Sequence, residues 1–158
     1  MTTIQNHLRV FMLALLLSGI TAFPIRSELH WLNDYACYFP KSLQDWIRFL
    51  YDTVKSSNDV LLYGTDWLAF AHIVICLFFI PVYYQPQRYK ANVVMGMFAC
   101  LLIFPLAFVC GHIRHIPFFH QLIDCSFGLI GFLYLYYILR KINRLNLDSH
   151  ATTAFPIH

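Results

Sequence analysis

Three apolar runs, residues 67–84, 93–110 and 117–139, follow one another with only short polar joints between them. Each is long enough to cross a hydrocarbon core as a helix, since about 20 residues rising 1.5 Å apiece span the roughly 30 Å of membrane interior. Composition agrees: with 59% apolar, 18% aromatic and 12% charged residues among 158, too little polar surface exists to clothe a soluble domain. The expected architecture is therefore all-α, an integral membrane four-helix bundle over residues 1–142. Its helices are expected at about 8–25, 66–84, 92–110 and 117–140, with a polar, loosely ordered tail over 143–158.

The first span has two readings. Residues 10–23, apolar and preceded by Arg9, form either a short uncleaved helix reaching over 8–25 with Arg9 snorkelling, or a signal-peptide core with Ile20-Thr21-Ala22 as a poor cleavage site. The uncleaved helix is the preferred expectation, and both readings put the following segment on the same side. Basic residues then set the orientation. Arg88, Lys90, Arg140, Lys141 and Arg144 flank the joints on one side, and only Arg114 lies in the short opposite loop. Both termini are expected in the cytoplasm, and the setting expected is a bacterial inner (plasma) membrane. Tyr83, Tyr84, Tyr136 and Tyr137 would form the inner aromatic belt, and Trp67, Phe118 and Phe119 the outer one.

The segment after the first helix is no plain linker. Leu43, Trp46, Ile47, Leu50, Tyr51 and Val54 recur at helical spacing, while Gln44, Asp45, Arg48, Asp52 and Lys55 take the other face. An amphipathic helix over about 42–55 is expected, resting in the outer interface or over the bundle mouth. Ser42 with Asp45 would give a capping-box-like start, Arg48 and Asp52 an i, i+4 pair, and Ser56-Ser57-Asn58 the stop.

Polar groups inside apolar helices are the candidate functional residues, because burying them is costly. If Asp66 caps the second helix, His72 lies six residues inside it, roughly 9 Å down. If Pro117 opens the fourth, Asp124 lies seven residues in, roughly 10 Å down. Pro105, six residues before a terminating Gly111, would kink the third helix near the same plane. His72, Asp124 and, one turn earlier, His120 are thus expected to form a buried polar centre near the outer face. An interhelical hydrogen bond is the plainest role for it.

His112, His115 and His120, with Glu28 and His30 from the other outer segment, offer imidazole and carboxylate donors to zinc or copper, or a proton entry. Neither an HExxH nor a CxxC motif supports the metal, and no cofactor is required by the sequence. Among the five cysteines an outer bridge between Cys37 and Cys110 is the alternative to free thiols in an oxidising compartment, with the odd count and the absence of CxxC against it. Gly96 and Ala99, and Gly128 and Gly131, notch the third and fourth helices for close approach.

Three function classes follow, in this order. The first is a non-enzymatic accessory or scaffold subunit, partnered by the lipid bilayer and by a larger membrane complex or a second copy of itself. The second is a metal-ion or proton binding or transport module. Third comes a small membrane enzyme acting on a lipid or quinone with a histidine and a carboxylate as acid and base. A formal charge of +3 without any basic run gives no reason to invoke nucleic acid.

Overall fold

Backbone groups in an apolar solvent must bond to one another, and the chain does this with helices throughout. The computed structural model describes residues 2–154, with side chains for residues 3–145; among the described residues there is no strand. Four stretches are long and apolar enough to cross a membrane: Thr3–Ala22, Asp59–Tyr84, Lys90–Ile113 and Phe118–Leu145, with mean hydropathy of 1.2, 2.0, 2.6 and 1.8. Residues 155–158 of the expected tail lie outside the described residues. The preceding part of that tail is not loose but helical, because α8 (Phe118–Ala154) runs on from the last span.

The chain divides into two compact units, one of residues 11–77 and one joining the N-terminal residues to Val10 with those from Phe78 onward.

The unit of residues 11–77 holds most of α1 (Thr2–Ala22), then α2 (Ile25–Asp34), a 3₁₀ turn (Ala36–Tyr38), α3 (Lys41–Ser56) and α4 (Asp59–Phe78) as far as Leu77. Close approach of α1 to α4 depends on Gly19, where an added Cβ would sit 2.8 Å from the Ala69 carbonyl oxygen. Nearby, the Cys76 thiol donates to the Met12 carbonyl at 3.3 Å. Ile20-Thr21-Ala22 forms the last turn of α1, with the Thr21 hydroxyl donating to the Leu17 carbonyl at 2.9 Å.

A helix, α3, covers the residues of the expected amphipathic segment and packs against α2. Ile47 is buried and Leu43, Trp46, Leu50, Tyr51 and Val54 are half-buried, whereas Asp45, Arg48, Asp52 and Lys55 are exposed. Two local expectations are corrected. Pro40 is the N-cap and no side chain caps the helix, so the Ser42–Asp45 box does not form; nor do Arg48 and Asp52 pair within 4.0 Å. The helix α2 itself was not foreseen.

Asp66 does not begin the second span. That helix starts at Asp59, where the Asn58 carboxamide oxygen accepts from the Val60 N–H at 3.0 Å, leaving Asp66 two turns inside. The Ser56-Ser57-Asn58 stop is therefore also a start.

In the other unit, α5 (Ile80–Tyr84) continues the second span after a break at Phe79. Pro81 removes an N–H there, and the Asn92 carboxamide donates to the Phe78 carbonyl at 2.7 Å across the break. The main packing is between α6 (Lys90–Pro105) and α8. Without a hydrophobic drive between helices in lipid, such contacts rest on close van der Waals fit. Gly128 faces the Cys100 carbonyl oxygen, 2.8 Å from where a Cβ would sit; Gly131 faces the Cys100 sulfur at 2.9 Å, and Gly96 the Leu135 side chain at 2.9 Å. Ala99, expected in the same notch, is exposed. After Pro105 the chain forms a π turn (Leu106–Cys110), the local widening that follows a missing donor, before α7 (Gly111–Ile113).

Candidate functional site

Gly111 was expected to end the third helix, but its backbone is helical at φ −61° and ψ −42°. The stop comes later. His115 takes the left-handed conformation at φ 55°, the Ile116 N–H reaches the Gly111 carbonyl at 2.9 Å, and the His115 N–H reaches the His112 carbonyl at 3.2 Å. This is a Schellman closure with histidine where glycine is usual. Gly111 is required for a different reason: Gln121, 7% exposed, lies against it, with Cδ 2.7 Å from a would-be Cβ. The Gln121 amide donates to the Ile116 carbonyl at 2.7 Å, so one buried carboxamide ties the closing turn to α8.

Beside this clasp is a cavity of about 290 Å³ bordered by Cys110, Gly111, Arg114, His120, Gln121 and Asp124 among apolar neighbours. His120 Nε2 and Asp124 Oδ1 are 4.0 Å apart, one turn from each other on α8, with side chains 34% and 47% exposed. A contact this open is worth little by itself. His112 and His115 border a separate cavity of about 550 Å³ with Phe108 and Phe118.

The remaining candidates have partners of their own. His72 is half-buried, and its Nδ1 is 2.9 Å from the Leu68 carbonyl. A carbonyl can only accept, so Nδ1 carries the proton and Nε2 is left as an acceptor. His30 stacks on Tyr51 with centroids 5.8 Å apart and stands 3.8 Å from Asp34, while Glu28 is exposed in the first turn of α2. Among the described residues no three His, Cys, Asp or Glu side chains come together as a metal ion would require. All five cysteines are free, Cys37 and Cys110 included.

A second polar cluster was missed by sequence reading. Lys141 Nζ lies 3.4 Å from His7 Nε2, His7 Nδ1 lies 3.1 Å from the Tyr134 hydroxyl, and that hydroxyl donates to the His7 carbonyl at 3.3 Å. Lysine can only donate, so Nε2 accepts, and every proton along the chain of bonds has one direction. Tyr137 closes the cluster, edge-on to His7 and 4.5 Å beneath the Lys141 ammonium. Arg9 bonds the Tyr83 hydroxyl through both Nε and Nη2. The available signal was the stripe Tyr134, Tyr137 and Lys141 at i, i+3 and i+7.

Four helices long and apolar enough to cross a membrane are what a membrane protein requires, and the chain is compatible with that class. No protein-family model, curated protein or solved structure matches it.

Proposed function

We propose that this chain is a non-enzymatic multi-pass membrane protein, an accessory or scaffold subunit that works by packing against a partner within the bilayer. The observation that carries the reading is the commitment of its polar side chains to the fold: Gln121 clasps the Ile116 carbonyl at 2.7 Å on Gly111, and His7 is held between Tyr134 and Lys141. Groups engaged in this way fix helix register, each such bond being worth on the order of 1 kcal/mol in a membrane.

In this account both termini face the cytoplasm of a bacterial inner membrane, and α2 with α3 rests on the outer leaflet. Most of the cation and ring pairs support that direction: Arg9 over Tyr83, Arg88 over Tyr89, Arg140 over Tyr136 and Lys141 over Tyr137 fall on the segments assigned to the inner interface, while Lys55 over Tyr51 falls on α3.

Extraction from native membranes in a mild detergent, followed by native gel electrophoresis, tests the reading. An assembly of defined size, larger than the chain alone and retained in Asp124→Asn, is expected. A monomer under every gentle condition would overturn it.

A second reading, a proton-binding module, is favoured by the opening of His120 and Asp124 onto one cavity with Arg114. It requires Asp124→Asn to remove pH-dependent proton uptake in proteoliposomes while the helices stay folded.

A further inference from the structure

Asp66 has an unusual position. It lies seven residues into α4, about 10 Å along the helix from Asp59, within a stretch long and apolar enough to span a membrane. Among the described residues it makes neither a side-chain hydrogen bond nor an ion pair, although it is half-buried. A carboxylate at such a place is expensive to keep unless something answers its charge.

What surrounds it is aromatic. Phe23, Tyr63, Trp67 and Phe70 line, together with Asp66, a cavity of about 220 Å³. The rings of Tyr63 and Trp67 stand at 83° with centroids 6.0 Å apart, and those of Trp67 and Phe70 at 90° and 6.3 Å. Two successive right angles make ring faces into adjoining walls. The same rings are substantially exposed, from 39% at Phe23 to 60% at Tyr63, so a ligand can reach them.

Ring faces carry the negative part of the aromatic quadrupole and attract cations, most strongly at tryptophan. The kind of cation follows from the lack of other acceptors. Calcium and magnesium want six or more oxygen ligands, zinc about four donor atoms and a primary ammonium three acceptors, and the walls of this pocket present only apolar surface. A fully N-methylated ammonium has no N–H to satisfy and spreads its charge over an apolar shell that fits ring faces. The cavity is also smaller than the roughly 300 Å³ at which ordinary small-molecule pockets begin, which suits one such group more than a whole ligand.

We infer that the pocket of Phe23, Tyr63, Asp66, Trp67 and Phe70 binds a quaternary ammonium group, with the rings as its walls and Asp66 as its counter-charge. The group has two sources, a choline headgroup of a lipid or a free N-methylated solute.

The test uses the full chain with Trp31→Phe and Trp46→Phe, so that Trp67 is the sole tryptophan reporter. In maltoside micelles it is titrated with choline and, as a control, ethanolamine. In nanodiscs, lipid retention is compared between phosphatidylcholine and phosphatidylethanolamine, which differ in N-methylation alone. A saturable response to choline that ethanolamine does not give assigns the site to a free solute, and preferential retention of phosphatidylcholine assigns it to a lipid; either supports the proposal. Asp66→Asn, nearly isosteric, should weaken the positive response by about tenfold, whereas Glu28→Gln should leave it unchanged. Absence of both responses, equal responses to ethanolamine and choline, or an Asp66→Asn variant that binds as the parent does would each overturn it.

Discussion

Gln121 and Gly111 hold the third and fourth spans together at one end: the carboxamide lies flat on the glycine and donates to the Ile116 carbonyl at 2.7 Å. A methyl group at position 111 would occupy the space of the Gln121 side chain, 2.7 Å from its Cδ. Gly111→Ala should therefore push Gln121 aside and cost about 1–3 kcal/mol, read as a lower unfolding midpoint in mixed detergent micelles. Adding Gln121→Ala should recover part of the loss, because the obstructing side chain is gone. Equal stability of parent and Gly111→Ala would remove the clasp from the account.

A different pair of glycines separates packing from flexibility. At Gly128 the obstacle to a Cβ is backbone, the Cys100 carbonyl oxygen at 2.8 Å, whereas nothing lies within 4 Å at Gly64. Gly128→Ala should force α6 and α8 apart and lose about 1–3 kcal/mol. Gly64→Ala, in the helical interior of α4, should gain roughly 0.5–1 kcal/mol. Thermal denaturation followed by circular dichroism orders the three proteins, and the reverse order would contradict the packing described.

The start of α4 gives a prediction about identity as well as size. Asn58→Ala removes the side chain that accepts from Val60 and should destabilise by about 1 kcal/mol. Asp66→Asn, two turns further on, should leave helix formation unaffected. Hydrogen exchange at the Val60 amide is the local readout: faster in Asn58→Ala and unchanged in Asp66→Asn.

At His115 the backbone is left-handed, which costs an L-residue about 1–2 kcal/mol and glycine almost nothing. His115→Gly should raise the unfolding midpoint. A fall would mean that the imidazole contributes more than its strain costs.

How much of this was legible beforehand depends on which interactions decide each feature. The four spans were readable because length and apolar character alone set them, and α3 because six apolar residues recur on one face. The short α2 was not: Pro24 and a mixed polar sequence hide ten helical residues that contact with α3 completes. Asp66 looked like the cap because it directly precedes the apolar run from Trp67, yet the helix starts at Asp59 behind the Asn58 carboxamide and runs through Gly64. Gln121 carried no local signal, since its role exists only once Gly111 is folded against it. The histidines of the outer loop shared a neighbourhood in sequence, but the left-handed turn at His115 and the start of α8 distribute His112 and His120 to different cavities.

If the four apolar helices cross a membrane as proposed, residues 85–89 and residues 41–57 lie on opposite sides of it. Single-cysteine variants Gln87→Cys and Ser42→Cys, in a background with the five native cysteines replaced, can be labelled in sealed right-side-out vesicles with a membrane-impermeant maleimide. Labelling of position 42 from outside, and of position 87 only after the vesicles are opened, is predicted. Labelling of both from the same side would contradict the membrane-crossing arrangement, and labelling of position 87 alone from outside would reverse its direction.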